Sequence, residues 1–261
     1  MERKREYKFS YQTIVTYSSM VCSYHFLLRC TPSEEQFQQI KEHQLQLLAP
    51  AKITRGKDAF GNVIHYGHLN DRHDLFVVAS NGVVACDRYQ AEESAPRAIY
   101  KTPTHLTQVD AEMLNFNRSV RCSGSSLQTA LALSAALYDY LIYMPGKTSV
   151  DTTAIESFNM AAGVCQDFSH ILIALCRERA IFARYVVGLV VGTGETHAWV
   201  EVWCGGVWYG VDPTHNRQVE SGYIKLSHGR DADDCSVVRG TMRGAASHST
   251  QIRVVVEEIL K

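Results

Sequence analysis

The chain has 261 residues, enough for two small domains or one large one. Hydrophobic residues make up 46% and charged residues 20%, so a sizeable core is available and wholesale disorder is excluded. The formal net charge of −1 argues against a nucleic-acid partner, whose binders carry a basic excess or a basic stripe.

No window reaches the ~18 consecutive apolar residues of a membrane-spanning helix, so no membrane partner is expected. Arg3, Lys4 and Arg5 resemble the start of a signal peptide, but Phe9 to Tyr17 mixes polar and apolar residues and lacks a hydrophobic region. The expected location is the cytoplasm. Eight scattered cysteines in such a chain are expected to be reduced. There is no C-x-x-C or C-x-x-H pair, and Asp231-Ala232-Asp233-Asp234 lacks the spacing of a calcium loop. Neither a metal nor a cofactor is expected.

In chain order, residues 1–88 read as a β-rich domain. Tyr11 to Tyr17 and Tyr24 to Cys30 are rich in aromatic and β-branched residues. Leu75 to Ala79 and Gly82 to Cys86 are short apolar runs, and Asn81-Gly82 between them predicts a hairpin. Ser33 to Leu48 reads as a helix, or as a strand flanked by loops. Residues 89–107, with Pro96 and Pro103 and few large apolar side chains, read as a linker.

The segment 108–261 carries the candidate chemistry. Leu127 to Met144 predicts a helix ended by Pro145-Gly146. Thr153 followed by Glu156 forms a capping-box pattern for a short second helix. Gly163 then precedes Cys165, and Phe168, Ile171, Leu172, Leu175 and Cys176 recur at helical spacing. Val186 to Val191 reads as a buried strand and Gly192-Thr193-Gly194 as a hairpin turn. Thr196 to Cys204 and Val207 to Val211 read as two strands, and Ile252 to Ile259 as a last one.

Cys165 would sit at a helix N-terminus, where the helix dipole favours thiolate and unpaired backbone N–H groups face the thiol. Taken alone, its position suits a buried structural cysteine at least as well. The hairpin adds the missing groups. A two-residue Gly205-Gly206 turn pairs Cys204 with Val207 and sets Trp199 opposite Asp212. His197 and Asp212 then share a face as diagonal neighbours, about 7–8 Å apart at the backbone, close enough for a His–Asp hydrogen bond. A thiol, an imidazole that activates it and a carboxylate that orients the imidazole make a nucleophilic triad.

Rival residues are placed elsewhere. His170 lies about 140° round the helix from Cys165, and Cys176 lies roughly 16 Å deeper along it. His215 is expected on the strand face opposite Asp212, and Cys204 on the face away from His197. The side-chain oxyanion candidate is Asn159, six residues before the thiol. Trp199, Trp203 and Trp208 are cleft candidates, of which Trp199 is nearest the pair.

Three blocks carry a family likeness: Gly163-Val164-Cys165-Gln166-Asp167-Phe168-Ser169-His170, Thr196-His197-Ala198-Trp199-Val200-Glu201, and Trp208-Tyr209-Gly210-Val211-Asp212-Pro213-Thr214-His215-Asn216. Gly229 to Asp234 with Arg239-Gly240 adds a fourth, and Asp58-Ala59-Phe60-Gly61-Asn62 resembles part of the preceding β-rich domain. The sequence resembles the bacterial transglutaminase-like superfamily. The resemblance implies an α+β fold: a β-rich N-terminal domain, then a papain-like, transglutaminase-like catalytic domain with a cysteine-bearing helix on an antiparallel sheet. It implies Cys165, His197 and Asp212 as catalytic residues, and a peptide or protein amide as substrate. Cys235-Ser236-Val237-Val238 departs from the family pattern, in which prolines continue the Asp-rich loop.

The expected activity is cysteine-dependent acyl transfer on amide bonds, chiefly hydrolysis. The alternatives are protein-glutamine transamidation and a non-catalytic interaction domain that keeps the fold.

Overall fold

The computed structural model describes residues 4–93 and 95–260. Arg3 of the basic run and Ser94 of the expected linker lie outside the described residues. Strands account for 46% and helices for 22% of the chain.

The N-terminal domain is built on one long strand, β1 (Arg5–Leu28). Its alternating Tyr7, Phe9, Tyr11, Thr13, Val15 and Tyr17 turn inward, the two-residue period of a half-buried strand. β2 (Gln38–Leu47), β3 (Ile53–Lys57), β4 (Val63–Leu69) and β5 (His73–Cys86) follow. β5 pairs antiparallel with β1 along most of its length and with β2 on its other edge.

The hairpin expected at Asn81-Gly82 is absent: both residues lie inside continuous β5. Gly82 serves a close approach instead, since a Cβ there would stand 2.1 Å from the Glu42 carbonyl oxygen, beside a bulge in β2. The ambiguous stretch Ser33–Leu48 holds a strand over Gln38–Leu47, entered through a loop and a turn.

Residues 89–107 are packed rather than loose. β6 (Gln90–Glu92) pairs with a later strand, two 3-10 turns follow at Ala98–Lys101 and His105–Thr107, and Tyr89, Tyr100 and Leu106 are buried. Three aromatic and aliphatic anchors do this, although the stretch is poor in apolar residues overall.

The helices come next: α1 (Ala111–Ser119), α2 (Ser126–Tyr140), α3 (Ala154–Met160) and α4 (Cys165–Glu178). Ser125 and Thr153 cap α2 and α3 through reciprocal capping boxes with Gln128 and Glu156. Two short strands, β7 (Ile142–Tyr143) and β8 (Ala162–Gly163), pair in parallel beside the start of α4.

A second sheet contains β9 (Ala183–Val190), then, after β10 (Gly192–Gly194), β11 (His197–Cys204), β12 (Val207–Asp212), β13 (Arg217–Gln218) and β14 (Tyr223–Gly229). Its order is β13-β12-β11-β9-β14, with β6 against β12. One face, through Ala198, Val200 and Val202, joins the core that contains α4. The other, through Val186, Trp199 and Trp208, packs on Phe37, Tyr89 and Tyr100. The sheet thus has apolar cover on both faces, which fixes it rigidly beneath the site.

The last elements return to the first domain. After α5 (Ala232–Cys235), β15 (Val238–Arg243) and β16 (His248–Glu258) both pair antiparallel with β1. β10 joins the same sheet by pairing with β16. The segment 108–261, expected as one domain, therefore contributes three strands to the N-terminal sheet. Strand pairing across a long sequence separation left no mark on local periodicity.

Candidate active site

Cys165 is the first residue of α4, and its neighbours explain why the helix begins there. The Asp167 carboxylate accepts from the Val164 N–H at 2.7 Å and from the Thr148 hydroxyl at 2.7 Å. It thereby satisfies one of the orphan donors of the first turn. A Cβ on Gly163 would stand 2.6 Å from the Asp167 side chain, so only glycine admits this tight approach. The helix buries nearly every residue after its first turn, including Phe168, Leu172 and Cys176, while the Cys165 side chain is half-buried at the mouth.

The hairpin forms with the expected register. Cys204 pairs with Val207, Trp203 with Trp208 and Val200 with Val211. Gly205 and Gly206 both take positive φ, +60° and +89°, as a two-residue turn of this kind requires. His197 Nε2 and Asp212 Oδ2 are 2.8 Å apart. His197 also hydrogen-bonds Cys165. Because Nε2 faces the carboxylate, Nδ1 is the nitrogen left for the thiol. The structure thus brings together all three residues singled out in the sequence.

The electrostatics suit an ion pair. Burial alone would lower the His197 pKa, but hydrogen bonds and charge from Asp212 and Cys165 outweigh it and raise it to about 9. Burial pushes the Asp212 carboxyl upward, yet the donors around it hold it well below the usual carboxylate range. Those donors are numerous. Oδ2 accepts from His197, from His215 Nδ1 at 2.7 Å and from the Tyr223 hydroxyl at 2.6 Å, while Oδ1 accepts from the backbone of Thr214 and His215.

His215 is therefore not turned away, as strand alternation predicts. β12 ends at Asp212, and the Asp-Pro-Thr turn swings His215 back onto the carboxylate. The other expected rivals stand apart. His170 is fully buried, accepts from the Ala232 N–H, and is held neutral by burial and Arg177, its pKa lowered to about 3. Cys176 is core, its thiol pushed up to about 12 by burial.

Two candidates fall outside the cleft. Asn159 lies exposed on α3 and donates to Asp110, so it is not aimed at the thiol. Trp199 is fully buried beneath the site, stacked on His197 with ring centroids 6.4 Å apart, and donates to Tyr89. Its role is to support the imidazole from below.

The open cleft has a volume of about 730 Å³ and is walled by the Tyr143–Pro145 segment on one side and by β10 and Glu195 on the other. Tyr143 was not singled out in the sequence. Its backbone is clamped next to the loop that precedes Cys165, with Ile142 N–H to Ala161 O and Met144 N–H to Gly163 O both 2.9 Å. Burial, then the Cys165 and Glu195 charges, raise its pKa, so the phenol stays protonated and can donate. The only signal for it in the sequence was its place just before Pro145-Gly146.

Among the described residues, His197, Asp212 and His215 form the one group of three that could ligate a metal ion. Both histidine nitrogens are spent on Asp212 Oδ2, and the tyrosine hydroxyl fills it further. The donor set is arranged as a hydrogen-bonded carboxylate, not as ligands converging on a shared centre.

Comparison with known proteins agrees with this architecture. Residues 115–213 match the transglutaminase-like superfamily core, and residues 7–85 match the bacterial transglutaminase-like N-terminal region. The chain belongs to the transglutaminase-like superfamily. An uncharacterized protein of Mycobacterium leprae (strain TN) is 27% identical over 254 residues, covering 88% of this chain and 89% of its own. Another, of Mycobacterium bovis, is 26% identical over 273 residues, 90% and 86% of the two chains. A crystal structure from Cytophaga hutchinsonii, described as a "Putative Cysteine Protease", superposes with a TM-score of 0.82 at 22% identity and covers all of this chain and 92% of the other. The fold is the α+β transglutaminase-like fold. Among the described residues, no helix is long and apolar enough to cross a membrane.

Proposed function

We propose that this protein is a cysteine-dependent acyl-transfer enzyme acting on amide bonds, with hydrolysis as its reaction. The observation that carries the reading is the placement of Cys165, at the mouth of a helix N-terminus, against an imidazole that is itself oriented by a buried carboxylate.

The Cys165 thiolate attacks the amide carbonyl carbon and forms the C–S bond. The carbonyl oxygen, now an oxyanion, is met by the backbone N–H groups at the start of α4 and by the Tyr143 hydroxyl across the cleft. The C–N bond breaks as the His197 imidazolium gives its proton to the leaving amine. Neutral His197 then takes a proton from water, the hydroxide attacks the thioester carbonyl, and thiolate is released with the acid. Asp212 holds His197 in one tautomer and stabilises its charged form throughout.

Transamidation would use the same acyl-enzyme with an amine in place of water. The cleft is open, which leaves the thiol accessible to water and favours hydrolysis. Free thiols at all eight cysteines suit a reducing compartment, and we place the protein in the cytoplasm.

The test incubates wild type and Cys165→Ala with a peptide library, with and without a primary amine, and reads products by mass. Cleavage by the wild type alone supports the proposal, and amine adducts would move it to transamidation. Equal activity in both proteins would sink the proposal, and none in either would count for the non-catalytic interaction domain.

A further inference from the structure

β10 (Gly192–Gly194) is the end strand of the larger sheet. One edge pairs with β16, residues Gly192, Thr193 and Gly194 facing Val256, Val255 and Val254. Among the described residues no strand pairs with its other edge, and all three of its residues line the cleft beside Cys165. A free edge strand offers backbone N–H and C=O groups to another chain.

Proteins ordinarily blunt such edges with bulky or charged side chains. This one is bare. A Cβ built at Gly192 or Gly194 would meet no heavy atom within 4 Å, so space stands open on both sides of Thr193. Glu195 follows directly. It is exposed, lies on the cleft wall, and is the one acidic residue among the described residues lining the cleft. Among the described residues no Lys or Arg pairs with it, and its charge is felt by Tyr143 on the opposite wall. Among the described residues lining the cleft, it is the only Asp, Glu, Lys or Arg.

We infer that the cleft takes an extended peptide segment, added as a strand to the free edge of β10, with a Lys or Arg side chain of the peptide set against Glu195. The main-chain pairing supplies affinity without demanding a particular sequence, and the single carboxylate supplies the charge preference. The inference rests on the reading of Cys165 as nucleophile, since it concerns the substrate of that site.

The experiment uses matched capped peptides in which one Lys, Gln or Glu is walked along an otherwise constant sequence. Turnover is measured with wild type, Glu195→Gln and Glu195→Lys, and binding is measured by fluorescence anisotropy with Cys165→Ala. At one position Lys should be preferred over Glu by about tenfold in the wild type, a size set by attraction of Lys to the exposed Glu195 carboxylate together with repulsion of Glu by it. The ratio should fall toward unity in Glu195→Gln and invert in Glu195→Lys. Methylating alternate backbone nitrogens of the best peptide should weaken binding in one of the two phases only, as a strand pairing demands.

A Lys:Glu ratio that is the same in all three proteins would overturn the charge assignment. Indifference to N-methylation would overturn the strand addition, and so would the absence of binding by any peptide. Glu195-dependent binding to Cys165→Ala without turnover by the wild type would leave this inference standing and sink the acyl-transfer reading instead.

Discussion

His215 donates through Nδ1 to Oδ2 of Asp212 at 2.7 Å. This hydrogen bond competes for the oxygen that also receives His197, and together with Tyr223 it keeps the fully buried carboxylate ionised. His215 is thus a positioning residue acting through Asp212. Replacing it by alanine should lower kcat/KM by about tenfold, the worth of one charge-assisted hydrogen bond. The Asp212 carboxyl, followed by NMR titration, should move up in pKa, because it loses one group that holds it down. A merely structural role would leave that titration in place.

The imidazole sets the alkaline side. With its pKa raised to about 9, His197 is protonated at neutral pH and can deliver a proton to the leaving amine. Activity should therefore fall as pH rises through about 9. The associated stability is fully present below the unfolded histidine value of about 6.5 and is lost as pH climbs through the folded value. NMR titration of His197 should read about 9 in the wild type and a lower value in Cys165→Ala, where one of the groups that raise it is gone.

Tyr143→Phe tests the oxyanion role. The ring and its packing beside Phe168 remain, and only the hydroxyl is lost. The expected result is a drop in kcat of up to about a hundredfold with little change in KM, the pattern for a donor that acts chiefly in the transition state. An unchanged kcat would return the oxyanion to backbone groups alone.

A buried network ties the N-terminal domain to the sheet under the site. The Gln38 amide accepts from the Lys225 N–H at 2.8 Å and donates to the Lys225 carbonyl at 2.9 Å, bridging an irregularity in β14. Lys225 and Arg184 in turn hold the fully buried Glu201, against burial, at a pKa of about 2. Gln38→Ala strands the buried Lys225 N–H, while the Lys225 carbonyl keeps the Ser33 N–H at 2.9 Å, and should cost about 2 kcal/mol in chemical denaturation. Glu201 adds a pH term: its contribution is complete above the unfolded glutamate value of about 4.3 and is lost as pH falls toward 2.

The helix that carries Cys165 and the hairpin that carries His197 and Asp212 were both legible in the sequence, because each rests on local rules. Helical spacing marks α4, and a Gly-Gly turn fixes the register of β11 and β12. What failed to show lies beyond local range. The return of β15 and β16 to β1 depends on pairings more than two hundred residues apart. Asn81-Gly82 carries a hairpin signature but sits in a continuous strand, because a neighbouring bulge needs the missing side chain. His215 escaped because the turn after β12 breaks the alternation on which its facing was judged. Glu195 and Tyr143 escaped because their meaning comes from the cleft that the fold closes between them.

Acylation of Cys165 is the step on which the proposed function stands. Of the other cysteines, Cys30, Cys86 and Cys176 are pushed up to about 12 by burial, which leaves them inert near neutral pH. The direct measurement is intact-protein and peptide mass spectrometry after brief exposure to an activated peptide ester at pH 7, for wild type, Cys165→Ala and His197→Ala. The expected result is one acyl group on Cys165 in the wild type, none on Cys165→Ala, and slow labelling of His197→Ala. Acyl mass on another cysteine, or a Cys165→Ala protein labelled as fast as the wild type, would contradict it.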